Sequence, residues 1–218
     1  AQWSAITYSF TYSGNGSNGG TVPSTGSYTY GSAYSISEDG TMTKSGYNFA
    51  GWATASDGTG TLYANANDSI ASSTATYAGP GNLTLYAKWT AQVYAITYDV
   101  NGATGAASKS SDSFTFGGTA LVVPTIGTMV KTNYTFGGWS ETSSGIAVTS
   151  PYSPTQTRTL YAVWSGVQYS ISYNTNGSSA SVSDVLYTTG ATGITLSDGA
   201  GVTRECYTFA GWKTSAGN

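Results

Sequence analysis

The chain of 218 residues has no histidine and one cysteine, Cys206. Without histidine the commonest general acid/base is missing, and no Ser-His or Cys-His nucleophile can form. One thiol and no imidazole leave almost no soft metal ligands. A single cysteine also excludes an internal disulfide framework. Charge is scarce: 7 Lys and Arg stand against 10 Asp and Glu, for a formal net charge of −3. So few cations cannot supply the phosphate contacts on which nucleic-acid binding rests. No stretch approaches the ~18 apolar residues of a spanning helix, so membrane insertion is not expected. The acidic pairs Glu38-Asp39 and Asp57-Gly58-Thr59-Gly60 lack the alternating pattern of a calcium loop and read as turns. No catalytic residue, cofactor or metal site is expected, and the chain reads as a non-enzyme.

What is present is 29 Gly, 18 Tyr, 6 Trp, 32 Ser and 35 Thr. Abundant Ser, Thr and Gly resemble a disordered composition, but 14% aromatic residues do not. Tyr- and Thr-rich segments broken by glycine point to β-structure.

Tryptophan exposes an internal repeat. Trp3, Trp89 and Trp164 are each followed twelve residues later by Asn-Gly, at Asn15, Asn101 and Asn176. Trp52, Trp139 and Trp212 follow the first set by 49, 50 and 48 residues. Around them the sequence reads Tyr47-Asn48-Phe49-Ala50-Gly51-Trp52, Tyr134-Thr135-Phe136-Gly137-Gly138-Trp139 and Tyr207-Thr208-Phe209-Ala210-Gly211-Trp212. Leu85-Tyr86-Ala87-Lys88-Trp89 recurs as Leu160-Tyr161-Ala162-Val163-Trp164. The chain is a tandem array. Residues 1–3 are expected to end a preceding repeat, 4–89 to form a first module with a surface-loop insertion at 53–82, and 90–164 a second. Residues 165–218 are expected to form a third, truncated before its last strand.

Each copy offers about four strands. Tyr94, Ile96, Tyr98 and Val100 alternate with small or polar residues, as do Tyr8/Phe10/Tyr12 and Tyr169/Ile171/Tyr173. Asn-Gly supplies the φ > 0 pair of a tight hairpin turn. The second strand runs through Tyr28, Phe114 and Leu186; Tyr-x-Phe-x-Gly-Trp forms the third, and Leu-Tyr-Ala-x-Trp the fourth. A turn of helix is expected near Met42 and Met129. The core is expected at Trp52, Trp89, Trp139, Trp164, Trp212, Phe49, Phe136 and Phe209.

The order Tyr-x-Ile-x-Tyr-x-x-Asn-Gly, Tyr-x-Phe-x-Gly-Trp and Asn82-Leu83-Thr84-Leu85-Tyr86-Ala87-Lys88-Trp89 resembles the Listeria–Bacteroides repeat, also called the internalin B B-repeat family. The resemblance covers nearly the whole chain. It implies a mainly β fold (α+β, β-grasp-like) of small four-stranded modules. It also implies a tandem arrangement in large bacterial cell-surface or secreted proteins and no catalytic residues to carry over.

Four residues separate each closing tryptophan from the next strand's first tyrosine, a span of at most ~14 Å, so neighbouring modules nearly touch. An extracellular or cell-surface adhesion stalk or spacer is expected. The alternatives are a filament or sheath subunit completed by strand exchange, and a glycan-binding module. The corresponding partners are a protein or cell-wall glycan surface, or a second copy through self-association. Lys44, Lys131 and Arg204, each eight residues before the Gly-Trp tryptophan, could touch an anionic partner; the bland alternative is a charge snorkelling over an aromatic ring. Tyr12, Tyr63, Tyr77 and Tyr152 are least bound by the pattern and best placed to stack on a sugar.

Overall fold

The structure is a computed structural model that describes residues 1–30, 34–37, 39–63, 73–75 and 81–214. Thirteen strands and no helix occur among the described residues. The first copy contains β1 (Thr7–Ser13), β2 (Gly26–Thr29), β3 (Tyr34–Ile36), β4 (Tyr47–Ala53), β5 (Leu62–Tyr63), β6 (Ser73–Ala75) and β7 (Leu83–Ala91). The second has β8 (Val93–Asp99), β9 (Ser111–Thr115), β10 (Tyr134–Ser140) and β11 (Arg158–Gly166). The third has β12 (Gln168–Ile171) and β13 (Val185–Thr188).

The first sheet runs β2-β1-β7-β4-β5. At its centre β1 and the closing strand β7 are parallel, with Phe10 opposite Leu83 and Tyr12 opposite Leu85. This parallel pairing requires a long crossover, which the intervening segment provides. The second sheet repeats the order as β9-β8-β11-β10. The mainly β class therefore holds, with first and closing strands side by side; the helix that the α+β part of the expectation requires does not occur among the described residues. The third copy has only the hairpin β12-β13 among the described residues, with Tyr169 stacked on Tyr187 at 5.5 Å.

Alternation does what the sequence pattern requires. In β8 Tyr94 and Ile96 are buried between exposed neighbours, and in β7 Leu83, Leu85 and Ala87 are buried. The first core joins Phe10, Tyr28, Ile36, Met42, Trp52, Leu83, Leu85 and Ala87. Trp52 and Trp139 are fully buried. Removing an aromatic side chain of this size from water contributes on the order of 2–3 kcal/mol. The glycine before each has φ near +120°, where side chains are disfavoured, and marks a bulge between Phe49 and Gly51 and between Phe136 and Gly138.

Three features differ from expectation. Asn15-Gly16 and Asn101-Gly102 do have positive φ, but they are not two-residue hairpin loops: β1 pairs with β2 no nearer the turn than Phe10 opposite Gly26. Met42 and Met129 sit beside turns in place of helix. Thr43 bridges to Gly19 and Val130 to Thr104, so the amides a helix would use are already committed. The insertion at 53–82 is not simply a loop. Its Leu62–Tyr63 extends the first sheet, where Tyr63 packs against the first core and carries its strand with it, and Ser73–Ala75 pairs with β3.

By contact the chain divides into two compact units, Ala1–Ile96 with Asp112–Leu121 and Ser153–Arg158, and Thr97–Ser111 with Val122–Tyr152 and Thr159–Asn218.

Candidate functional site

No catalytic constellation assembles among the described residues, nor any group of three or more metal-ligating side chains. What recurs is a lock on the closing strand. The left-handed Asn15 turns its side-chain amide across the sheet, where Nδ2 donates to the Ala87 carbonyl at 2.9 Å and to Ser56 at 2.8 Å. Asn101 does the same to Ala162 and Ser143, both at 2.8 Å. The closing indoles answer from the other strand. Trp89 Nε1 donates to the Gly14 carbonyl at 3.0 Å, and Trp164 Nε1 to Val100 at 3.1 Å. The edge of each indole meets a phenyl ring: Phe49–Trp89 and Phe136–Trp164 centroids are both 5.6 Å apart.

The other tryptophan of each copy is held by a chain segment fifteen residues earlier. Trp52 donates to Ser37 at 3.0 Å, Trp139 to Pro124 at 2.7 Å and Trp212 to Ser197 at 2.8 Å. A tyrosine lies on each: Tyr12, Tyr98 and Tyr173 are 4.6, 4.9 and 4.6 Å from their indoles. Satisfying the N–H lets a Trp be buried without stranding a donor.

The candidate contact cations lie beside the asparagine turns. Lys131 Nζ donates to the Asn101 carbonyl at 3.1 Å and lies 5.1 Å from the Tyr134 ring. Arg204 donates to the Asn176 carbonyl at 3.2 Å and lies 4.5 Å from Tyr207. Lys44 lies 4.8 Å from Tyr47. Lys131 and Arg204 donate to turn carbonyls, and all three cations cover aromatic faces within the chain, the snorkelling arrangement. Three of the tyrosines suggested for sugar stacking are also engaged. Tyr12 lies on Trp52 and accepts the Ser37 N–H at 2.7 Å, Tyr63 packs on the core, and the Tyr152 hydroxyl donates to Glu141 at 2.6 Å. Tyr77 and Glu38 lie outside the described residues. Asp57 is a turn acceptor: the Thr59 hydroxyl at 2.6 Å and then its N–H at 2.9 Å hold the carboxyl below its ordinary range.

Of the residues expected in the core, Trp52 and Trp139 are fully buried, and Phe49, Trp89, Phe136, Trp164 and Trp212 are half-buried. Phe209 is 40% exposed and is a correction to that expectation. Phe49 and Phe136 are covered by a closing indole, and no closing strand occurs in the third copy among the described residues.

A second recurring element joins consecutive copies. Within the first unit, Gln92 donates its N–H to the Gly46 carbonyl at 2.8 Å and accepts from Phe116 at 2.9 Å. Tyr47 meets the Phe116 ring edge-on at 5.5 Å. Within the second, Val167 donates to Asn133 and accepts from Thr189, both at 2.9 Å. The carbonyl donated to belongs each time to a left-handed residue, Gly46 (φ 77°) or Asn133 (φ 64°). This junction was not anticipated. Its signal is the Gly or Asn that follows each lysine by two residues, where a left-handed backbone is cheapest.

Two closed β copies and a third with the same tryptophan and tyrosine contacts, joined through single pinned linker residues, define a tandem-repeat protein. The chain belongs to the Listeria-Bacteroides repeat domain family, which matches residues 8–88, 94–163 and 169–218. It is similar to a protein of Evansella cellulosilytica named "Putative Gly-rich membrane protein", 30% identical over 212 residues. That match takes in 94% of this chain and 23% of the relative. A second Evansella cellulosilytica protein, named "Putative membrane protein", is 36% identical over 90 residues, 41% of this chain and 12% of that protein. The chain thus spans about a quarter of the length of the first relative and about an eighth of the second. No solved structure matches.

Proposed function

We propose that the chain is a non-catalytic spacer in a bacterial cell-surface protein, holding another part of that protein away from the surface as an adhesion stalk. The observation that carries this reading is the junction. One linker residue, Gln92 or Val167, is pinned on both sides by backbone hydrogen bonds, and the first junction adds the Tyr47–Phe116 contact. Stiffness arises when a linker's φ/ψ freedom is removed by such bonds, and a constant pinned geometry gives reach that grows with copy number. The low charge and the engaged cations favour a mechanical role over binding of an anionic polymer. The names of the Evansella proteins support a surface location.

The test is antibody labelling of intact cells of the source bacterium against this chain. Labelling without permeabilisation is expected, and so is a shorter labelled reach when residues 4–164 are deleted in frame. Labelling that appears only in permeabilised cells would overturn the reading.

A further inference from the structure

The asparagine clamps restrain a reactive pair. In Asn101-Gly102 the side-chain amide carbon is an electrophile and the next peptide nitrogen a nucleophile, and glycine puts no side chain in the way of a five-membered ring. The pair forms the middle of a tight turn, closed by the Ala103 N–H on the Val100 carbonyl at 3.2 Å, with both residues left-handed. Ring closure expels Nδ2 as ammonia, so that nitrogen must first give up its bonds to Ala162 and Ser143. Asn15-Gly16 is tied in the same way to Ala87 and Ser56. Gly16 and Gly102 are exposed, so water reaches both turns.

In the second copy a cation primes the same turn. Lys131 Nζ donates at 3.1 Å to the Asn101 carbonyl, the oxygen of the peptide group whose nitrogen is that of Gly102. A positive charge on that oxygen stabilises the anion left when the nitrogen gives up its proton, which is the attacking form. Lys131 does not depend on the closing strand for its place. Its neighbour Val130 exchanges two backbone hydrogen bonds with Thr104, both at 2.9 Å. Lifting the closing strand at Ala162 therefore frees the amide and leaves the lysine where it is. Openings confined to one element occur well below the free energy of global unfolding.

We propose that Asn15-Gly16 and Asn101-Gly102 are deamidation sites gated by the closing strand, so that a copy once opened is marked and does not lock again. In the opened second copy the Gly102 nitrogen loses its proton and attacks Asn101 Cγ. The N–Cγ bond forms, the Cγ–Nδ2 bond breaks and Nδ2 leaves as ammonia. Water then opens the succinimide ring at one of its two carbonyls. Cleavage at Cγ gives aspartate, and cleavage at the main-chain carbonyl carbon gives isoaspartate; no redox change occurs. Either carboxylate accepts hydrogen bonds and donates none, so the Ala162 and Ser143 carbonyls lose their donor. Isoaspartate also routes the main chain through Cβ and loses the turn. The inference uses the clamp geometry alone and is independent of where the chain works.

Peptide mass mapping of the 218-residue chain, sampled over time at mildly alkaline pH, tests it. Asn15 and Asn101 are expected to stay amides in buffer and to convert in unfolding urea. Leu160 is fully buried in the second closing strand. Leu160→Val is expected to speed Asn101 in buffer about fivefold and Leu160→Ala ~30-fold or more, with Asn15 unchanged in both. Adding Lys131→Met to Leu160→Val is expected to slow Asn101 in buffer and to leave its rate in urea alone; lost stability by itself would speed it. Anion exchange separates the reacted Leu160→Val chain by its extra negative charge, and that form is expected to melt below the unreacted one. Conversion of Asn101 as fast in buffer as in urea, or rates that neither Leu160 variant raises, overturns the gate. A rate that Lys131→Met does not slow overturns the priming, and equal melts of the two forms overturn the lost lock.

Discussion

Asn15 reaches across its sheet to Ala87, seventy-two residues later, with Nδ2 at 2.9 Å from the carbonyl. The bond ties the turn after the first strand to the closing strand, the two elements that lie parallel at the centre of the sheet. Asn101 and Ala162 repeat it at 2.8 Å. A left-handed backbone aims the amide, so one residue type meets both a conformational and a hydrogen-bonding need.

The two needs can be separated in the second copy. Asn101→Gly keeps the left-handed backbone and strands the Ala162 and Ser143 carbonyls, at an expected cost of ~1–3 kcal/mol. Asn101→Ala adds ~1–2 kcal/mol of backbone strain. Urea melts of both variants measure this. A cost within ~0.5 kcal/mol of wild type for both would contradict the clamp.

Trp139 is fully buried, donates its N–H to the Pro124 carbonyl and carries Tyr98 on its face. Trp139→Ala is expected to cost ~3–5 kcal/mol. Trp212→Ala, at a half-buried site that no closing strand covers among the described residues, is expected to cost less. Thermal melts followed by near-ultraviolet circular dichroism check the order; an unchanged melt for Trp139→Ala would rule out its place in the core.

Gly46 has φ +77°, and a Cβ there would run into the Phe116 ring. Gly46→Ala is therefore expected to disturb the first junction while leaving the strands of each copy paired. Amide exchange at Gln92 and Phe116 should rise, with Leu85 unaffected. Unchanged protection at both would contradict the pinned linker.

Asp57 gives a pH effect with a definite sign. Its folded pKa is lowered from 3.8, first by the Thr59 hydroxyl and then by the Thr59 N–H. A lowered carboxyl pKa favours the turn above the ordinary carboxylate range, and the preference is lost as pH falls through the folded value. The Thr59 amide resonance should titrate with a midpoint below 3.8; a midpoint at or above that value would contradict the assignment.

Much of this was legible in residue spacing. The alternation of Tyr94 and Ile96 and the burial of Trp52 and Trp139 follow from period 2 and from the side chains a sheet face must hide. The parallel pairing of β1 with β7 was not, because strand direction is settled by packing between segments more than seventy residues apart. The asparagine clamp was missed because Asn-Gly first signals a hairpin, and nothing local shows where its amide points. The exposure of Phe209 was missed because its own motif matches Phe49; only the strand that should cover it differs.

The spacer account rests on stiff junctions, and pulsed electron–electron distance measurement tests this most directly. In a Cys206→Ser chain, spin labels at exposed Thr84 and Thr115 bracket the first junction, and labels at Thr135 and Leu186 bracket the second. The account predicts one narrow distance distribution for each pair, with the first broadened by Gly46→Ala. Broad distributions in the unsubstituted junctions would contradict it.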